Sequence, residues 1–150
     1  MKKILTILGV VFIVLIFIVA AAIGYVAYTG NKLDASSKAY VDESVPAIVS
    51  TWSKDELIKR ANSQLRQVTS DVQVGLLFNS LSNKLGTFQS YDGAKGQSNM
   101  SFTSKDGQTT TASYVANATF QNGKAEIQIK LIRDNDSWQI LGFHVDLKPL

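Results

Sequence analysis

The residues of this chain whose types and spacing could support chemistry are few. His144 is the only histidine, and Asp146 follows two residues later. On a strand, that spacing puts an imidazole and a carboxylate on the same face, where they could work as a general acid/base pair. Alternation within Trp138–Leu147 predicts that they share this face with Trp138 and Ile140. Leu141, Phe143, Val145 and Leu147 then fall on the opposite face, so both sides of the last strand carry apolar mass. The bland reading of a lone histidine near a strand end is an exposed surface residue, and no residue is positioned by the sequence as a third catalytic group. Asp134, Asn135 and Asp136 offer oxygen ligands for a hard cation, but between two strands Asx residues are turn formers that bond their own backbone. No metal or cofactor is therefore expected. Phosphate-cradling glycine loops, nucleophile elbows and zinc-binding His-Glu-x-x-His helices are absent from the sequence. Tyr40, Trp52, Tyr91, Tyr114 and Trp138 are the candidates for a binding surface, because amphipathic aromatics dominate pockets and interfaces. Core packing is the alternative for each, most plainly for Trp52 and Tyr114.

The elements that must carry these residues begin with Ile4 to Tyr28, which contains no charged residue. As a helix it would be about 38 Å long at 1.5 Å per residue, against a hydrocarbon core of roughly 30 Å. Lys2 and Lys3 precede it, so the positive-inside bias predicts a cytoplasmic N-terminus and an extracytoplasmic C-terminal domain, with the bilayer itself as the first partner. A cleaved secretory signal is the rival reading, given the small residues Ala20, Ala21 and Ala22. Ile23, Tyr25, Val26 and Tyr28 extend the apolar run past that point and favour a retained anchor.

The expected division is an anchor over 1–28, a polar linker over 29–34 and one domain over 35–150. Setting Lys2 and Lys3 aside, 13 basic residues face 12 acidic ones, and no basic run interleaved with aromatics exists, which argues against nucleic acid as a partner. The chain has no cysteine, which removes disulfides, thiol catalysis, thiolate metal sites and a lipid-modified cysteine. Asn99-Met100-Ser101 and Asn117-Ala118-Thr119 match the glycosylation pattern, relevant only in a host that modifies exported proteins.

Within the domain, Val41, Val45, Ile48, Val49 and Trp52 form one helical stripe over Ala35–Ser50, interrupted by Pro46, which either kinks that helix or, with Ser44 as cap, opens a shorter one. Ser53 and Glu56 have capping-box spacing ahead of a helix from Lys54 to about Arg66, with Leu57, Ala61, Leu65 and Val68 inward. A third helix starts at Thr69 or Ser70, carries Val74, Leu77, Phe78, Leu81 and Leu85 inward, and stops at Gly86. Alternating β-branched and aromatic residues follow, punctuated by Asp92-Gly93, Asp106-Gly107 and Asn122-Gly123. They predict strands at Thr87–Tyr91, Gly96–Ser104, Thr109–Gln121, Lys124–Arg133 and Ser137–Leu147. Helices followed by an antiparallel meander make an α+β domain in which helices cover one face of a curved sheet.

Over Leu85–Val145, a Leu-Gly helix stop, the glycines 93 and 96, Tyr114, Phe120-x-Asn122-Gly123 and Trp138-x-Ile140 resemble the cystatin-like or nuclear-transport-factor-like α+β domains. Many bacterial members of that group are exported or membrane-anchored. A weaker similarity is to single-span assembly factors of the cytochrome oxidase assembly and inner-membrane import kind. The resemblance implies a fold more than an activity. Two functions fit the sequence: a non-enzymatic membrane-tethered domain that binds a protein or small ligand, as an envelope or membrane-complex accessory, and a pocket enzyme of the isomerase or hydrolase type using His144 and Asp146.

Overall fold

The computed structural model describes residues 2–105 and 107–148, apart from the side chain of Val26. It contains four helices, α1 (Lys2–Val49), α2 (Lys54–Arg60), α3 (Ser63–Val68) and α4 (Asp71–Leu85), followed by four strands, β1 (Phe88–Thr103), β2 (Gly107–Phe120), β3 (Gly123–Asp134) and β4 (Ser137–Lys148). The strands form one open antiparallel sheet in the order β1-β2-β3-β4. The chain is α+β, and it divides into two compact units, Met1–Leu33 and Asp34–Leu150.

In the first unit, α1 is long and apolar enough to cross a membrane. Its apolar side chains from Ile4 to Tyr25 are bare, with Phe12 at 67% and Phe17 at 70% exposure. The polar stretch 29–34 does not break the helix, and Thr29 bonds back to the Tyr25 carbonyl at 2.9 Å. Extending a helix adds one bond per residue fixed, whereas stopping and restarting costs a new nucleus and leaves further backbone groups unpaired, so continuation wins. Pro46 is likewise absorbed inside α1, and the ladder resumes with Ser50 N donating to Pro46 O at 3.0 Å.

In the second unit, the C-terminal part of α1 buries Val41, Val45, Ile48 and Val49 completely, as the stripe predicts. The inward face of β2 is built largely of small residues (Ala112, Ala116 and Ala118), which leaves room on the sheet for that helix. Polar bonds fix the docking. Tyr114 Oη lies 2.7 Å from Ser37 Oγ, Trp138 Nε1 donates to Ser36 Oγ at 3.1 Å, and Tyr91 Oη donates to Asp42 Oδ1 at 2.7 Å. The Asp34 carboxylate accepts from the Ser98 backbone N–H at 2.7 Å and also from the Ser98 hydroxyl.

Three local features differ from the periodic reading. The helix expected over Lys54–Arg66 breaks at Ala61-Asn62. There Asn62 N donates to Ile140 O at 2.9 Å, joining the break to β4, and Asn62 Oδ1 restarts the chain as the N-cap of α3. Consequently Val68, expected inside, is 80% exposed. Ser53 does accept from Glu56 N, but the Glu56 carboxylate turns to Lys59 and Arg60, so only half of the capping box forms.

The second difference is in β1, which is one strand where two were expected. Asp92-Gly93 lies in an irregularity between Tyr91 and Ala94, not in a turn, with Gly93 at φ 98°. The Asp92 carboxylate holds the distortion by accepting from Ser90 and Thr119. Further along β1, a Cβ at Gly96 would lie 1.9 Å from Ser113 O, so close backbone approach demands glycine there. The expected Asp106-Gly107 turn falls partly outside the described residues, while Gly107 itself pairs with Thr103. The β2–β3 hairpin forms, but its tip is Gln121-Asn122, one residue earlier than Asn122-Gly123 predicts. Gln121 N and Asn122 N bond to Thr87 O and Leu85 O, pinning that tip to the α4–β1 junction. At the β3–β4 turn, Asn135 and Asp136 both have positive φ, 47° and 65°, the mark of the tight turn expected of them.

The third difference matters most for function. β3 alternates as expected, with Ile127, Ile129 and Leu131 buried and Gln128 and Lys130 exposed. Against it, Leu131 pairs with Ile140, but Lys130 pairs with Gly142, so Leu141 is an extra residue forming a bulge. The alternation of β4 shifts by one at that point. Trp138 and Ile140 before the bulge, and Phe143, Val145 and Leu147 after it, all lie in register with the buried rows of β3. The apolar residues expected on two faces therefore lie on one.

Candidate functional site

The bulge at Leu141 corrects the expected placement of the histidine pair. His144 pairs with Gln128 and Asp146 with Glu126, which puts both on the solvated face of the sheet, opposite Trp138 and Ile140. They do meet, since His144 Nε2 lies 3.1 Å from Asp146 Oδ1, and Gln128 Nε2 donates to Asp146 Oδ2 at 3.1 Å. Their side chains are 67% and 44% exposed. A carboxylate bonded to an imidazole is the orienting half of an acid/base system, and it needs a reacting group within hydrogen-bond reach. The nearest hydroxyl in the same shallow depression belongs to Ser113, two strands across and two rows along. At about 4.8 Å per strand and 3.3 Å per residue, it is roughly 12 Å from His144.

The five aromatic candidates are placed elsewhere. Trp52 occupies a left-handed turn after α1, with φ 48°, and its ring packs on Phe78 and Phe120 at centroid distances of 5.3 and 5.6 Å. Its indole Nε1 is buried and without a partner among the described residues. Tyr114 and Trp138 are buried and, with the half-buried Tyr91, hold the C-terminal part of α1 to the sheet through the bonds given above. Trp138 also carries the Arg133 guanidinium 6.0 Å from its ring centroid. Burial raises the Tyr40 and Tyr91 phenols above their ordinary values, and the Asp42 carboxylate raises Tyr91 further. Asp42 is pushed up by its own burial, but hydrogen bonds from Lys38 and Tyr91 outweigh that and hold it below the usual carboxylate range.

A different concavity is the one suited to a ligand. It measures about 220 Å³ and opens between α2, α3, α4 and the start of the post-bulge part of β4. Leu57, Leu65, Val74, Leu77, Phe78 and Phe143 form its apolar wall, while Arg66, Thr69 and Asp71 supply the polar groups. None of the five aromatic candidates lines it. The Ala61-Asn62 break creates it, by turning α3 away from the line of α2, and no residue of α3 is buried. Its floor comes from Phe143, which the bulge brings to the inner face, so pocket and displaced histidine share one cause. The exposed Val68, Val72, Leu76 and Leu77, all between 53% and 80% accessible, belong to α3 and α4 beside it. Simple helical periodicity hid this site because it gave one long helix instead of α2 and α3. The polar pair Asn62-Ser63 inside the stripe was the available signal. Among the described residues no group of three or more His, Cys, Asp or Glu could hold a metal.

No family model, curated protein or solved structure matches this chain.

Proposed function

We propose that this chain is a membrane-tethered binding domain, anchored by Ile4–Tyr28 with Lys2 and Lys3 on the cytoplasmic side, whose extracytoplasmic unit takes an apolar side chain of a protein partner into the α2–α3–α4 pocket. The observation that carries this reading is the pocket itself: about 220 Å³, apolar-walled, and beside exposed Val68, Val72, Leu76 and Leu77. An apolar cavity of roughly 150 Å³ accommodates a benzene ring, so this one has room for a single aromatic or branched side chain and little more. Adjoining exposed apolar residues are the usual surround of such an anchor position. The helices and the one-sided antiparallel sheet fit a cystatin-like domain, and an accessory role in an envelope complex is consistent with a tether and a small socket.

In-membrane photocrosslinking tests it. A crosslinker at Leu77 should give a defined protein adduct, which Leu65→Glu, placing a charge in the socket, should abolish. The same crosslinker at Asn117, on the solvated face of β2, should give none. Absence of any adduct from Leu77, with the protein monomeric after gentle extraction, would refute the reading.

A further inference from the structure

Beside the turn of the β1–β2 hairpin stands Phe102, 76% exposed. Its immediate neighbours are Ser101, Thr103, Ser104 and Lys105, and Met100, two residues back on the same face of β1, is only partly covered. A hairpin end calls for small and polar residues, and a bare phenyl ring there does no packing within the fold. The place of the hairpin in the second unit gives the ring a use. Asp34, the first residue of that unit, bonds Ser98 on β1, and Phe102 lies four residues beyond, about 13 Å along the strand. Tyr28, the end of the uncharged apolar run, is separated from Asp34 by six residues of chain, at most about 20 Å in any conformation. The hairpin end is thus confined near the point where the domain joins its proposed anchor.

We propose that the β1–β2 hairpin end is a lipid-contacting element, with Phe102 and Met100 entering the headgroup boundary of the same bilayer that holds Ile4–Tyr28. This rests on the tether reading above. Aromatic rings favour the membrane interface, where an apolar body can leave water while its surroundings stay wet, and the Ser and Thr residues around Phe102 suit that wet layer. A contact made by Phe102 and Met100 is apolar and requires no anionic lipid.

The chain has no cysteine, so a single introduced one can be labelled uniquely. The full chain is reconstituted into phosphatidylcholine vesicles with a fluorophore at Ser104→Cys, Ser80→Cys or Ile13→Cys, and quenched by lipid-borne and by water-borne quenchers. The Ser104 label should be quenched from the lipid and shielded from water, and Phe102→Ser should remove that protection while far-UV circular dichroism stays unchanged. The Ser80 label, on exposed α4, should remain water-accessible. If the Ile13 label is lipid-buried while the Ser104 label behaves like that at Ser80, the hairpin contact is wrong and the tether stands. If the Ile13 label is itself water-accessible, the tether reading falls and the hairpin contact with it. Shielding of Ser104 that persists in detergent and grows with protein concentration would assign Phe102 to a second copy of the chain, and would also overturn the proposal.

Discussion

Tyr91 and Asp42 show how a residue that looks like a ligand contact can be structural. The phenol donates to the carboxylate at 2.7 Å across 49 positions of sequence, tying β1 to the C-terminal part of α1. Asp42, held below the usual carboxylate range, binds a proton less readily folded than unfolded. Its contribution to stability is therefore present above the unfolded value of about 4 and is lost as pH falls through the folded one. Tyr91 behaves oppositely: its raised folded value means a contribution intact below about 10 and lost as pH rises beyond that. Tyr91→Phe should lower stability at pH 7 by about 1 kcal/mol, the worth of one partly exposed hydrogen bond. In urea titrations the difference from the parent chain should narrow at pH 3, and a difference independent of pH would show that the carboxylate is uninvolved. What the sequence held at this scale was residue type only. Aromatics mark both interfaces and cores, and the distinction lies in partners such as Ser36, Ser37 and Asp42, which no local pattern connects to them.

The bulge at Leu141 keeps both halves of β4 in register with the buried rows of β3. Because strand side chains alternate strictly, one extra residue exchanges the faces of everything after it unless a bulge absorbs it, as happens at Leu141. Inserting one alanine after Gly142 should turn Phe143, Val145 and Leu147 outward and His144 and Asp146 inward, whereas removing Leu141 should leave a regular ladder with all five in place. With roughly 1.5–3 kcal/mol for each large apolar side chain fully buried, and less for these partly covered ones, the insertion should cost on the order of 3 kcal/mol or more. Thermal unfolding by circular dichroism reads the result, and an unchanged melting temperature for the insertion, or a loss as large for the deletion, would mean the bulge does not set the register. The elements themselves were largely legible. The α1 stripe from Val41 to Val49, the Ser70 cap, the Gly86 stop and the alternation of β3 all follow period and cap chemistry that short-range sequence encodes. The bulges at Leu141 and Asp92-Gly93, and the break at Ala61-Asn62, did not, because each is fixed by a neighbour distant in sequence: β3, β2 and Ile140 respectively. The pocket arises from two of these interruptions, which is why periodic reading passed over it.

The molecule as a whole joins an apolar helix, with bare side chains, to a neutral α+β unit. If α1 is a retained anchor, the full chain should stay with membranes through alkaline carbonate extraction, while a chain lacking residues 2–33 should be released. Recovery of the full chain in the supernatant would contradict anchoring. Length and charge made the helix legible in the sequence, but its unbroken run through 29–34 was not, since a polar stretch reads locally as an exit and only the helix on both sides carries it through. The Asp34–Ser98 contact has a further effect at this scale. β1 is an edge strand of 16 residues, and an edge that long is a template onto which foreign strands can add. Its backbone offers no uniform ladder: the irregularity at Tyr91–Ala94 interrupts it, and the Asp34 carboxylate occupies the Ser98 amide. Anchored as proposed above, the chain would be crowded into the plane of a membrane and meet its own copies far more often than one free in solution. The interrupted edge would resist sheet-to-sheet growth in that setting and leave neighbouring copies as separate domains.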